Sequence, residues 1–175
     1  MRFGPSPAAP VWIPNGCPVE PRCGSLKNMA DESLSETNQV DTYLDSLLES
    51  ADTAEHLVVD VARATGFQEE ELHKLGMVVR ESVVNAVVHG NRYNAKKKVH
   101  LLISNSRDRI TVTVTDQGQG FDFSSLRNPL AEENLLEQSG RGIFIIRAFT
   151  DEFYIRRLVP SGTEVKLVKY KQMVV

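Results

Sequence analysis

Glu81, Asn85 and His89 recur at every fourth position inside a run of apolar periodicity that starts near Glu70. At about 3.6 residues per turn they stack on one helical stripe, while Val79, Val83, Ala86 and Val87 point elsewhere. A carboxylate, an amide and an imidazole thus share one face. By itself that pattern fits a solvated stripe on an amphipathic helix as well as it fits a site. Two glycine-rich stretches downstream favour the site. One is Asp116-Gln-Gly118-Gln-Gly120-Phe-Asp122, and the other is Ser139-Gly140-Arg141-Gly142, with Gly162-Thr163 following before the last apolar run.

The elements that would carry these residues can be read from periodicity. Thr42 to Glu49 reads as a strand, and Ser50, Asp52 and Thr53 offer N-caps for a helix whose inward residues are Ala54, Leu57, Val58, Val61 and Ala62. Thr65-Gly66 stops it. Glu69, Glu70 and Glu71 place negative charge in the first turn of the next helix, where it complements the helix dipole. That helix turns Leu72, Leu75, Val79, Val83, Ala86 and Val87 inward and is expected to end at Gly90. Val99, Leu101 and Ile103 alternate, Asn105 to Asp108 turn, and Ile110, Val112 and Val114 alternate again, which predicts an antiparallel hairpin that delivers Asp116 at a strand end. Residues 123–139, polar and without period, read as a long loop of the kind that serves as a lid. A helix opens at Ser139-Gly140, and a final hairpin flanks Val159-Pro-Ser-Gly162.

The 175 residues accommodate one domain with a sizeable core plus a tail. Residues 1–38 hold six of the eight prolines and read as a disordered segment, with Met29 an alternative translation start. The domain proper is expected over residues 39–175. A net charge of −3 argues against direct nucleic-acid binding. No apolar run reaches the roughly 20 residues that a membrane helix needs, and the chain reads as cytoplasmic with no membrane partner. Cys17 and Cys23 sit in the Pro-rich opening without zinc-ligand spacing. Lys96 to Lys98 read as a solvated charge run.

The chain lacks the G-x-x-x-x-G-K-[ST] loop, the dinucleotide G-x-G-x-x-G and the H-R-D and D-F-G elements of eukaryotic-type kinases. What it has, in order, is E-x-x-x-N-A-x-x-H-G-N, D-x-G-x-G-F-D, S-G-R-G and G-T. With these motifs residues 42–170 resemble the Bergerat-type (histidine-kinase-like) ATPase superfamily, and within it the bacterial anti-sigma factor serine/threonine kinases, which share Asn-Ala-x-x-His-Gly.

That resemblance implies an α+β fold, a two-layer sandwich with helices on one face of a mixed, mainly antiparallel sheet. It implies ATP and Mg2+ as cofactors, and as partners a sigma factor, an anti-sigma factor antagonist protein and a second copy in a homodimer. Asp116 would accept a hydrogen bond from the adenine amino group where Gly118 and Gly120 let the backbone approach. The Asn85 carbonyl would join phosphate oxygens around Mg2+, which favours oxygen ligands and retains waters. The amides of Ser139, Gly140, Arg141 and Gly142, at a helix start, would hold phosphates. Glu81 would be the general base that orients the attacking hydroxyl. His89 continues the stripe toward the nucleotide or caps the helix, and Thr163 would reach a phosphate. Gln138 stands where some kinase members carry a basic residue, leaving Arg141 as the nearest cation. Two rival readings are an ATP-binding anti-sigma module without kinase activity and a detached catalytic domain of a two-component histidine kinase.

Overall fold

The computed structural model describes residues 39–120 and 138–172, apart from the side chains of 138–141 and 144. The Pro-rich segment 1–38 and most of the expected lid, 121–137, lie outside the described residues. Strand β1 is Gln39–Asp45, followed by helices α1 (Glu49–Thr65) and α2 (Glu69–Asn85), a π-helical segment Ala86–Asn91, β2 (Lys98–Asn105), β3 (Arg109–Thr115), α3 (Gln138–Phe149), β4 (Glu152–Arg157) and β5 (Thr163–Tyr170). The strands form one sheet in the order β1-β2-β3-β5-β4. Every neighbouring pair is antiparallel, so no parallel pair of a mixed sheet occurs among the described strands.

The register aligns the apolar alternation of five strands into rungs. Val40, Ile103, Val112, Leu167 and Phe153 face one another in turn across the whole sheet, and Leu101, Val114, Val165 and Ile155 form the next rung. Ala51, Ala54, Val58 and Ala62 of α1 and Leu72, Leu75, Val79, Val83, Ala86 and Val87 of α2 and its extension close over this face, and all are buried. Burial of so many side chains, at roughly 25 cal/mol per Å² of apolar surface, is what fixes the helices to the sheet.

Two expected boundaries move. The strand predicted to run to Glu49 ends at Asp45, and α1 starts at Glu49 with Leu48 at its cap, so neither Ser50, Asp52 nor Thr53 caps it. Ser46 decides this, because its hydroxyl donates to the Lys97 carbonyl (2.8 Å) and accepts from the Asn91 amide (2.9 Å), which turns the chain out of the strand. At the other end of α1, Gly66 adopts the left-handed conformation (φ 85°) and its N–H meets the Ala62 and Arg63 carbonyls, as the Thr65-Gly66 stop predicts. Helix α2 opens with a capping box, in which the Glu71 carboxylate accepts the Gln68 N–H (3.1 Å).

The second moved boundary is the end of α2. The helix does not stop at Gly90. It loosens into π geometry from Ala86 and ends at Arg92, whose N–H returns to the Val87 carbonyl five residues back. Arg92 (φ 53°) and Tyr93 (φ 57°) are both left-handed, at a cost on the order of 1 kcal/mol each for residues with a Cβ. Something must hold them there. Asn91 does so, as described below.

Candidate functional site

The period-2 alternation that fills the core also builds the site. Along the inward face of β3, Val112 and Val114 are followed by Asp116. On β5 the corresponding residues are Leu167, Val165 and then Thr163, and on β4 they are Phe153, Ile155 and Arg157. The apolar rungs therefore give way to a polar one, Asp116–Thr163–Arg157, at the edge of the helix layer. Above it opens a cavity of about 320 Å³, lined by Ala86, Val114, Ile143, Ile146, Phe153, Ile155 and Val165 on its apolar side and by Ser82, Asn85, His89, Arg92, Asp116, Gln119 and Thr163 among its polar groups. A largely apolar pocket with a few convergent polar groups is the usual form of a small-molecule site.

Asp116 is 7% exposed. Its Oδ1 accepts from the Gly118 N–H (2.7 Å) and the Thr163 N–H (3.2 Å), and its own N–H donates to the Thr163 carbonyl (3.0 Å). Oδ2 has no protein donor among the described residues and is left to accept from a ligand. Glycines make this approach feasible. A Cβ on Gly90 would overlap the Asp116 carboxylate, and one on Gly118 would overlap the Gly90 carbonyl. Gly90 is thus needed for space beside Asp116 and not as a helix stop.

Asn91 fixes the loop that carries Asp116. The side chain is 1% exposed, its Nδ2 donates to Ser46 Oγ (2.9 Å) and the Lys98 carbonyl (3.0 Å), and its Oδ1 accepts the Gln117 N–H (2.8 Å). One amide ties the end of β1, the start of β2 and the turn after β3 to the end of α2. The sequence shows Asn91 only as the last letter of H-G-N, and nothing in the spacing reveals its partners.

Asn85 also lines the cavity, and Glu81 lies one turn earlier on α2. A Cβ on Gly142 would overlap the Glu81 carboxylate, so that carboxylate lies across the α3 backbone where only a glycine admits it. Helix α3 is described from Gln138 onward, which puts Gly142 near the start of its second turn. Gly142 therefore makes room for Glu81, and Ser139, Gly140 and Arg141 precede it in the same helix.

His89, rotated by the π segment, is exposed at the cavity mouth beside Gly90. Thr163 is buried at the Asp116 end and not beside α3. Gly120 (φ 81°) lies under the Arg157 side chain, where a Cβ would meet Arg157 Cγ at 2.6 Å. Gly162 (φ 115°) brings the β4–β5 turn against the Asp116 carbonyl. Arg92 and Gln119 complete the mouth and carry no motif that would have singled them out.

Residues 44–169 match the model of the histidine kinase-like ATPase domain. The chain belongs to this family. Anti-sigma F factors of Bacillus thuringiensis (strain Al Hakam), Bacillus mycoides (strain KBAB4) and Bacillus cereus (strain AH187) are each 35% identical to it over 103 residues, which cover 58% of this chain and 70% of the relative. This histidine kinase-like ATPase domain is therefore also a member of the anti-sigma factor group that its motifs resemble. Its fold matches the solved RsbU and RsbW domains of Rv1364c from Mycobacterium tuberculosis with a TM-score of 0.58 and 17% identity, over 78% of this chain and 34% of that one. Among the described residues no helix is long and apolar enough to cross a membrane.

Membership in the histidine kinase-like ATPase family implies that the domain binds ATP. Among the described residues no three His, Cys, Asp or Glu side chains converge on a metal position. A neutral side-chain oxygen such as that of Asn85 would suit Mg2+ held mainly by the phosphates of a bound nucleotide.

Proposed function

We propose that this chain is an ATP-dependent serine/threonine protein kinase and anti-sigma factor of the cytoplasm, which binds a sigma factor and phosphorylates an anti-sigma factor antagonist protein. The observation that carries the reading is the polarity of the cavity. Asp116 supplies a buried carboxylate whose Oδ2 has no donor among the described residues. Asn85 lines the same cavity, and Glu81, one turn before it, lies against Gly142 of α3.

In this reading adenine donates its amino hydrogen to Asp116 Oδ2 while its ring occupies the apolar wall. Thr163, paired with Asp116, belongs to the base end of the nucleotide and not to the phosphates. Asn85 would ligate Mg2+, which neutralises phosphate charge when bound. The backbone amides of Ser139 and Gly140, in the first turn of α3, would receive the triphosphate, with Arg141 the nearest cation in sequence. Glu81 accepts the proton of an acceptor serine or threonine hydroxyl as that oxygen attacks the γ-phosphorus and ADP leaves. His89, an exposed member of the cavity lining, would contact the base.

A second reading rests on Gln138, which puts an uncharged side chain before the Ser-Gly of α3: an ATP-binding anti-sigma module that transfers no phosphate. Incubation with γ-labelled ATP and a panel of antagonist proteins separates the two. Label on a serine or threonine of an antagonist is the expected result. ATP binding and sigma-factor capture without label on any antagonist would establish the second reading. The relatives that share the family also make a two-component histidine kinase fragment the weaker alternative.

A further inference from the structure

We infer that Arg92 closes the outer face of the bound base, a nucleotide-binding role that no motif of the chain assigns; this rests on the ATP reading of the cavity. Consider the cavity as two walls. Ala86, Val114, Ile146, Phe153, Ile155 and Val165 are its buried or half-buried apolar lining, and His89, Arg92 and Gln119 are its exposed polar lining. A planar purine whose amino edge meets Asp116 lays one face on the apolar wall and turns the other toward those three.

Arg92 is suited to that second face for three reasons. Its guanidinium is planar and permanently charged, the form that stacks on aromatic faces. It has no carboxylate partner among the described residues, whereas Arg63, Arg80 and Arg156 each pair with an acid. Its backbone is held in a sparsely populated conformation on both sides, by the three hydrogen bonds of Asn91 before it and by the Tyr93 N–H to the Val87 carbonyl (3.0 Å) after it. Backbone strain held in place by surrounding bonds beside a cavity is a mark of a positioned side chain.

Position along the helix selects base over phosphate. Arg92 follows Glu81 by eleven residues and Asn85 by seven, on the side of Gly90 and Asp116, away from the contact of Glu81 with Gly142. The guanidinium therefore acts on the part of the ligand that ATP, ADP and adenosine share.

The test is calorimetric titration of the full chain with each of those three ligands, for the parent, Arg92→Ala, Arg92→Gly and Arg92→Lys. Glycine is at ease at a φ of 53°, so Arg92→Gly removes the side chain while relieving the backbone and keeps the test valid if the alanine variant folds poorly. Loss of a stacked cation should weaken all three ligands by a common factor of roughly 3 to 30, with Lys restoring only part of it because it lacks the planar group. Weakened ATP and ADP with unchanged adenosine would place the guanidinium on phosphate and overturn the inference. Unchanged affinity for all three in the Gly variant would overturn it as well. A parent that binds none of the three would instead refute the nucleotide reading, which is a separate outcome.

Discussion

Removing the Asn91 amide should cost both stability and nucleotide affinity, although the side chain touches no ligand. Asn91→Ala deletes three hydrogen bonds of 2.8 to 3.0 Å from a position that is 1% exposed. At about 1 kcal/mol net for each, the loss is about 3 kcal/mol. Water can reach the released Gln117 N–H, since Gln117 is exposed, which keeps the figure from rising further. For an ordered domain of this size, 3 kcal/mol corresponds to a fall in Tm of about 10 °C. Freed from Asn91, the turn at Gln117 no longer fixes Asp116, and ATP affinity should fall together with stability. Urea titration followed by calorimetry measures both. Ser46→Ala provides the internal check: Ser46 shares one bond with Asn91, so the double variant should be less destabilised than the sum of the singles by about 1 kcal/mol. A loss below 1 kcal/mol for Asn91→Ala, or strict additivity with Ser46→Ala, would refute the tether.

Other variants probe the cavity and the far edge of the sheet. Glu81→Ala should abolish label transfer to an antagonist while leaving ATP affinity within a fewfold, and near-parent transfer would remove Glu81 from the reaction. Gly142→Ala, whose Cβ overlaps the Glu81 carboxylate, should slow transfer in the same assay with little effect on nucleotide affinity. Asp116→Asn keeps an acceptor for the Gly118 and Thr163 amides but can turn a donor toward adenine; ATP and ADP should weaken alike, by roughly 10- to 150-fold, and equal affinities before and after would place the base elsewhere. On β4, the Tyr154 hydroxyl (2.5 Å) and then the Tyr170 hydroxyl (2.6 Å) donate to Glu152 and hold its carboxyl below its ordinary value of 4.5. A depressed folded value means stability that is present at neutral pH and lost as pH falls below about 4.5 through the folded value. Glu152→Gln should therefore flatten the acid limb of the stability curve by less than about 1 kcal/mol, the scale of an exposed contact, and an unchanged limb would show that these bonds contribute nothing.

Periodicity and motif order made most of the frame legible. Alternation at Val99 to Ile103 and Ile110 to Val114 specified two strands and their inward faces, because a strand with one buried face must repeat every second residue. The same repeat carries Asp116 inward, so the position of this carboxylate follows from the sequence once β3 is placed. The four-residue spacing of Glu81 and Asn85 likewise put both on one side of α2. Tertiary contacts decided the rest. Whether α2 stops at Gly90 depends on Asn91, whose partners lie 45, 7 and 26 residues away in the chain, and no local propensity encodes those bonds. The end of β1 depends on the same network through Ser46. Thr163 reads from sequence as a phosphate contact, and only the pairing of β3 with β5 shows that its backbone N–H holds Asp116. Gly142 reads as part of an anion-binding turn, yet its lack of a Cβ matters because α3 packs where Glu81 needs the space. Local sequence sets which groups a segment can present, by steric period and turn chemistry. Which of them meet is set by long-range packing, because each such contact joins residues that share no local spacing.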